Sequence, residues 1–342
     1  MASSGAAQAG ENHKFGVPIA RWRWLVLTAF VALAAMAAVM SLMKGSVEVA
    51  PGDIWRILTQ GGVDTAAQII LNIRLPRTLV AALVGMNLAL AGAVLQAVMK
   101  NPLADPHIIG ISSGAGLAGI AIMILLPAME ALITPAAFAG AMGAAVCIYV
   151  LAWKGGIRPV RIILAGVAVS AFLGAGISAL LIFYSDRVHG ALMWMVGGLA
   201  ARSWPHVEII LPYAVFGAAL AFFGARQLNI LQLGDELAKG LGLRVEVVRL
   251  SMTAVAALLA ASAVSVAGLL GFVGLIVPHA ARLLLGSDYR FLLLGAALLG
   301  AGVVTASDTF ARTAFAPVEL PVGIIMAFLG APFFLFLLRR EL

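Results

Sequence analysis

The chain has 342 residues, 63% of them hydrophobic and 11% charged, with a formal charge of +7. A soluble domain carries about 25% charged residues, so this chain cannot cover its surface for water, and soluble enzymes and nucleic-acid binders are excluded. Cys147 is the single cysteine, which excludes an intrachain disulfide framework or a thiolate metal site.

Residues 1–18 are short, small and polar, and read as a disordered tail. Trp24–Met43 is an apolar run of 20 residues behind Lys14, Arg21 and Arg23. It exceeds the usual signal-peptide core of about 7–15 residues and reads as a retained first helix. Residues 45–72 are too polar to span and form a connection, with a short helix expected at Asp53–Leu58. Thr78–Met99 is 22 residues without a charge. At about 1.5 Å per residue it covers about 33 Å, enough to cross a bilayer core.

Further charge-free runs follow at 108–129, 131–153, 162–185, 209–225, 250–281, 291–307 and 320–338. Run 250–281 is too long for one crossing. It holds Gly268, Gly271, Gly274 and Pro278, so it is expected to break near Ala267–Gly271. That makes ten spans, all-α, over residues 19–342. With ten spans both termini share a side. Seven of the 22 basic residues (Lys44, Arg56, Arg74, Arg77, Arg187, Arg202, Arg312) then lie opposite them and the other fifteen with them, which puts the termini in the cytoplasm. Residues 227–245, QLNILQLGDELAKGLGLRV, are the largest polar segment between spans on that side.

Three phrases recur in order: RLPR (Arg74–Arg77), GAVLQ (Gly92–Gln96) and NPLADP (Asn101–Pro106). They are followed by GDELAKGLG (Gly234–Gly242), GFVGLIVPHAARLLLGSDYR (Gly271–Arg290), DTFAR (Asp308–Arg312) and PVGIIMAFLGAPFF (Pro321–Phe334). Over about residues 65–340 the chain resembles the FecCD-type permeases of ABC importers for ferric siderophores, haem and cobalamin.

The resemblance implies a type II importer permease fold of about ten helices in the inner membrane, pairing with itself. Two ATP-binding subunits would dock below and a periplasmic or lipoprotein substrate-binding protein above. Arg74, Arg77 and Arg312 match positions that meet glutamates of the binding protein. Gly234, Asp235, Glu236, Lys239 and Gly240 match the segment that couples to the ATPase. A ferric siderophore is the first choice of cargo, then haem, then cobalamin, in order of frequency in the family.

The residues add their own constraints. No Gly-Lys pair occurs, so a P-loop is absent and ATP hydrolysis belongs on another chain. No catalytic, metal or cofactor set is expected, and no nucleic-acid partner. His107 and His279 each follow a proline and are poor candidates for iron ligands; His189 and His206 are equally unassigned. Met193, Trp194 and Met195 read as packing rather than as a path lining. Arg312 has a local alternative, an i, i+4 pair with Asp308. GAVLQAVMKNPLADPH and GLLGFVGLIVPHAARL echo each other weakly, as the halves of transporters do. A stand-alone secondary transporter would need ionisable groups inside the helices, and a membrane enzyme would need paired His, Asp or Glu; neither pattern is evident.

Overall fold

The computed structural model describes residues 13–14, 17–45, 47–107, 110–154 and 159–341. Most of the expected tail lies outside the described residues. His13–Lys14 and Val17–Pro18 pair as a two-residue antiparallel ladder.

Fifteen α-helices follow among the described residues. They are α1 (Ile19–Met43), α2 (Pro51–Gln60), α3 (Thr65–Ile69), α4 (Leu75–Met99), α5 (Ile111–Leu125), α6 (Ile133–Ala152), α7 (Pro159–Phe183), α8 (Val188–Val196), α9 (Trp204–Phe223), α10 (Ala225–Gln232), α11 (Asp235–Gly240), α12 (Val245–Ala267), α13 (Val273–Leu285), α14 (Tyr289–Thr313) and α15 (Val322–Glu341). Seven helices are long and apolar enough to cross a membrane, and α5, α13 and α15 are shorter apolar helices. Each coincides with one of the ten spans read from the sequence. The short helix expected within 45–72 is α2, and the long run at 250–281 breaks between Ala267 and Val273 as its glycines require.

The bundle is sorted by contact with lipid. The most apolar windows of α4, α12 and α14 are 78%, 78% and 67% buried, whereas those of α6 and α7 are only 22% and 17% buried. The outer helices therefore present Val150, Phe172 and Phe183 to the lipid, where an apolar surface costs nothing. Lipid supplies no hydrophobic drive for helix association, so close backbone packing has to hold the centre. At the crossing of α4 and α14, a Cβ on Gly85 would come within 2.1 Å of the Gly300 carbonyl oxygen. At the crossing of α4 and α13, a Cβ on Gly92 would lie 1.9 Å from that of Gly274. Polar side chains add to this: Asn87 donates to Ser262 Oγ (3.0 Å), and Gln96 donates to the Gly274 carbonyl (3.2 Å) while accepting from Arg282 (2.8 Å).

Three features differ from the sequence reading. Residues 65–72, read as part of the polar connection, are helical instead. The helix begins at Thr65 with Asp64 as its cap, and Ile70–Arg74 forms a π turn that runs on into α4. The wider turn reorients the chain just before α4. Secondly, α13 has 13 residues, about 20 Å, so it starts inside the bundle rather than at its edge. Thirdly, α8 is a short apolar helix that the runs did not reveal, because the charge-free stretch between Arg187 and Arg202 is too short for a span. The chain enters through α1 and leaves through α15 at one end of the bundle, which also holds Lys100 and α11; Arg74 and Arg312 lie at the other.

Candidate functional site

At the Arg74 end the arginines are engaged within the chain. Arg74 is 4% exposed. It donates to the carbonyls of Leu42 (2.8 Å), Met43 (3.1 Å) and Val47. These acceptors include the last carbonyls of α1, which have no partner inside their own helix; Arg74 thus staples α1 to the π turn.

Arg77 forms a fork. Its Nε and Nη2 donate to the two Asp308 oxygens, each at 2.9 Å, and its Nη1 donates to Glu319 at 2.9 Å. The Arg77 and Asp308 side chains are only 11% and 2% exposed, whereas Glu319 is 49% exposed. The planar guanidinium suits two parallel bonds to one carboxylate.

Because Asp308 is held this way, the local alternative, an i, i+4 pair between it and Arg312, does not form. Arg312 instead donates to the Ser41 carbonyl and to Ser41 Oγ (3.2 Å). Arg74, Arg77 and Arg312 are therefore one cluster, joining α1, α4 and α14. Only Arg77, through Glu319, and the half-buried Arg312 offer a surface to anything outside.

The other end is built around α11. Gly234 sits at φ +108, a left-handed value that favours glycine, and it turns the chain from α10 into α11. Asp235 accepts from Lys100 Nζ (2.6 Å) and Arg249 Nη2 (2.8 Å). Partial burial would raise its pKa, but Lys100 and Arg249 hold it below the usual carboxylate range. Gln232 donates to the Ala97 carbonyl (3.0 Å), and Ala238 is fully buried. Asp235 is thus turned inward as a tie between the ends of α4 and α12.

Glu236, Lys239 and Gly240 face outward. Beside them stand Leu237 and Leu241 (63% exposed each), at i and i+4, with Leu233 (54%) ahead of the Gly234 turn; a charge-based reading of DELAK passed over them. Bulky apolar residues at that spacing on a short, charged segment were the signal that could have found them.

Between the two ends lies an open cavity of about 840 Å³, lined chiefly by Met195, Phe272, Leu275, Ile324 and Phe328, with Asp105 and His107 also on its wall. Its roof is a backbone knot of three segments. Gly198 N–H donates to the Ala267 carbonyl (2.8 Å), Leu269 N–H to that of Trp194 (3.2 Å), and Gly323 N–H to that of Gly197 (3.0 Å). A Cβ on Gly323 would lie 1.8 Å from the Val196 carbonyl oxygen. The knot ties α8, the α12–α13 break and the start of α15. Of the MWM triplet, Trp194 is 5% exposed and packed, whereas Met195 faces the cavity. His107 reaches the cavity wall, whereas His279 is buried and its ring packs edge-on to Phe333 with centroids 5.8 Å apart. No group of three or more His, Cys, Asp or Glu converges among the described residues.

Residues 33–340 match the model of the FecCD transport family. The chain is 46% identical over 282 residues to a cobalamin import system permease protein of Halobacterium salinarum, covering 82% of this chain and 76% of the relative. It is 38% identical to the Fe(3+)-citrate import system permease protein YfmE of Bacillus subtilis, covering 92% and 96%. Its fold matches that of a metal-chelate type ABC transporter solved in an inward-facing conformation, with a TM-score of 0.81 and 28% identity over 92% of this chain and 99% of the other.

Proposed function

The chain belongs to the FecCD transport family and is an ABC importer permease, and from that premise we propose that it carries a ferric chelate, a siderophore complex first among them, inward across the bacterial inner membrane. Its relatives are transport permeases rather than enzymes. The reading assigns the Arg74 end to the periplasm and the Lys100 end, with both termini, to the cytoplasm. The chain works as a homodimer with two ATP-binding subunits and one substrate-binding protein, residues 19–342 forming the permease body.

The observation that carries this reading is the apolar cavity lying between a knotted roof and the α11 end. Two copies of the chain facing each other would double it into a central path. An apolar path binds no cargo strongly, which suits a subunit whose partner does the selecting. The segment 227–245 is the ATPase contact, through Leu233, Leu237 and Leu241 with Glu236 and Lys239 as flanking charges. Within it Gly234 and Asp235 set the pose of α11 and Gly240 closes it.

At the periplasmic rim Arg77 and Arg312 meet acidic side chains of the binding protein, with Glu319 giving up its bond to Arg77. Arg74 holds the rim together beneath them. Cobalamin is the second reading, favoured by the higher identity to the cobalamin relative; haem is the third.

The test is calorimetric titration of the cognate binding protein with ferric siderophores, haemin and cyanocobalamin. Tight binding of a ferric siderophore is expected, and tight binding of cyanocobalamin alone would replace the first reading with the second.

A further inference from the structure

The connection between α1 and α4 carries α2, a helix of 10 residues whose apolar side is wider than the protein covers. At about 100° per residue, Ile54 and Ile57 turn inward, where they are buried and pack with Leu42, Val49, Ala67 and Ile70. Pro51, Trp55 and Leu58 fall on one flank and stay exposed, Trp55 at 72% and Leu58 at 43%. The outward side and the other flank hold Asp53, Arg56, Thr59 and Gln60, all exposed. A helix with water on every free side would gain nothing from one apolar flank and one polar flank. A helix laid along a boundary between lipid and water would gain from both.

Two observations put α2 at such a boundary. The first is that α1 is a peripheral span, its most apolar window only 33% buried, and Met36, Val39 and Met40 stay exposed near its end. Lipid therefore reaches to within about one turn of Met43, and α2 packs on that end through Leu42. The second is Trp204, which opens the span α9 and whose indole Nε1 donates to the Leu71 carbonyl at 3.0 Å. Tryptophan at the end of a span marks the headgroup level. Leu71 belongs to the π turn against which α2 also packs, so α2 lies at that level too.

We infer that α2 is an interfacial helix whose partner is the phospholipid surface. Trp55 and Leu58, with Pro51 beside them, sink among the headgroups and upper acyl chains, and Asp53 and Gln60 face water. The flank carries no charge, unlike the arginine rim assigned to the binding protein. Ile70, which α2 covers, opens the π turn that ends at Arg74, so the bilayer surface fixes the height of the rim through α2. The inference goes beyond the permease reading, which only names the leaflet as the outer one; the anchor holds for either orientation of the chain.

The test places single nitroxide labels on the full chain in phosphatidylglycerol–phosphatidylcholine nanodiscs. In a Cys147→Ser background the label sites are Trp55→Cys, Leu58→Cys, Arg56→Cys and Gln60→Cys. All four positions are exposed, so the labels leave the packing of Ile54 and Ile57 intact, and each of the first two variants keeps the other's anchor. Collision rates with oxygen, which concentrates in lipid, and with a neutral nickel chelate, which stays in water, report the depth of each label. The oxygen-to-nickel ratio at the first two sites is expected to exceed that at the last two about tenfold, as for a face sunk about 5–10 Å. Equal ratios at the four sites would overturn the inference.

The loaded substrate-binding protein is then added to the same samples. Collision rates at Trp55→Cys and Leu58→Cys are expected to stay unchanged. Nickel collisions that are high at these two sites and fall on its addition would make the flank a protein contact and overturn the lipid assignment. Neither measurement involves transport, so failure of the anchor would leave the permease reading standing.

Discussion

Arg77 and Asp308 show how a charge can look free in sequence and be committed in the fold. Removing one partner of a buried ion pair strands the other, at a cost of about 3–5 kcal/mol. Asp308→Asn is expected to lower the denaturation midpoint and reduce the yield of folded protein, whereas Glu319→Gln, at an exposed position, should change stability by about 1 kcal/mol or less. Thermal unfolding in detergent with a fluorescent thiol probe on Cys147 would read the contrast; equal effects would mean that Asp308 is not the principal partner.

Asp235 gives a prediction in pH. Its pKa is lowered in the folded protein, so its contribution is complete above the ordinary carboxylate range and is lost as pH falls through the lowered folded value. The partly exposed bridge to Lys100 contributes about 0.2–1 kcal/mol, and the second partner, Arg249, is only 3% exposed. Protection of the amides of α11 against hydrogen exchange, corrected for the intrinsic pH dependence, should hold at neutral pH and fall in acid. In Asp235→Asn it should be low throughout. A flat corrected profile in the wild type would contradict the tie.

The sequence exposed the types of these residues but not their partners. Asp308 lies 231 positions from Arg77, and nothing local announces it, while the i, i+4 partner that spacing does announce for Arg312 is taken.

At the scale of elements, legibility followed charge-free length. Nine apolar runs became ten helices, because a run of about 20 residues without charge has one stable use and the longest run divides in two. The break in 250–281 could be read because glycine and proline mark it. The π turn at Ile70–Arg74 and the helix α8 could not. The first is a one-residue change in winding with no compositional signature, and the second is too short to stand out as a span. Helix contact is likewise set by backbone approach rather than by pattern. Gly85→Leu is expected to force α4 from α14, at a cost above the 1–3 kcal/mol usual for overpacking, because the obstacle is backbone 2.1 Å away. A matching change at Gly143, where a Cβ meets nothing within 4 Å, should be nearly neutral. Comparable yields of folded protein from the two would contradict the packing described.

The whole molecule joins two ends through three rigid links. Arg74 and Arg77 fasten the rim, the glycine knot fastens the roof of the cavity, and Asp235 fastens the α11 end to α4 and α12. The helix α4 takes part at both ends, so a push on α11 reaches the rim through one continuous body. The exposed leucines of this segment are where that push would enter. The most direct test of the central claim is uptake of a ferric siderophore into proteoliposomes holding the permease, its ATP-binding subunit and the loaded substrate-binding protein. Uptake should require ATP and the binding protein, and it should fall at least tenfold in Leu237→Asp while membrane insertion is unchanged. Uptake that persists without the ATP-binding subunit and follows an imposed ion gradient would contradict the account and make the chain a carrier that works alone.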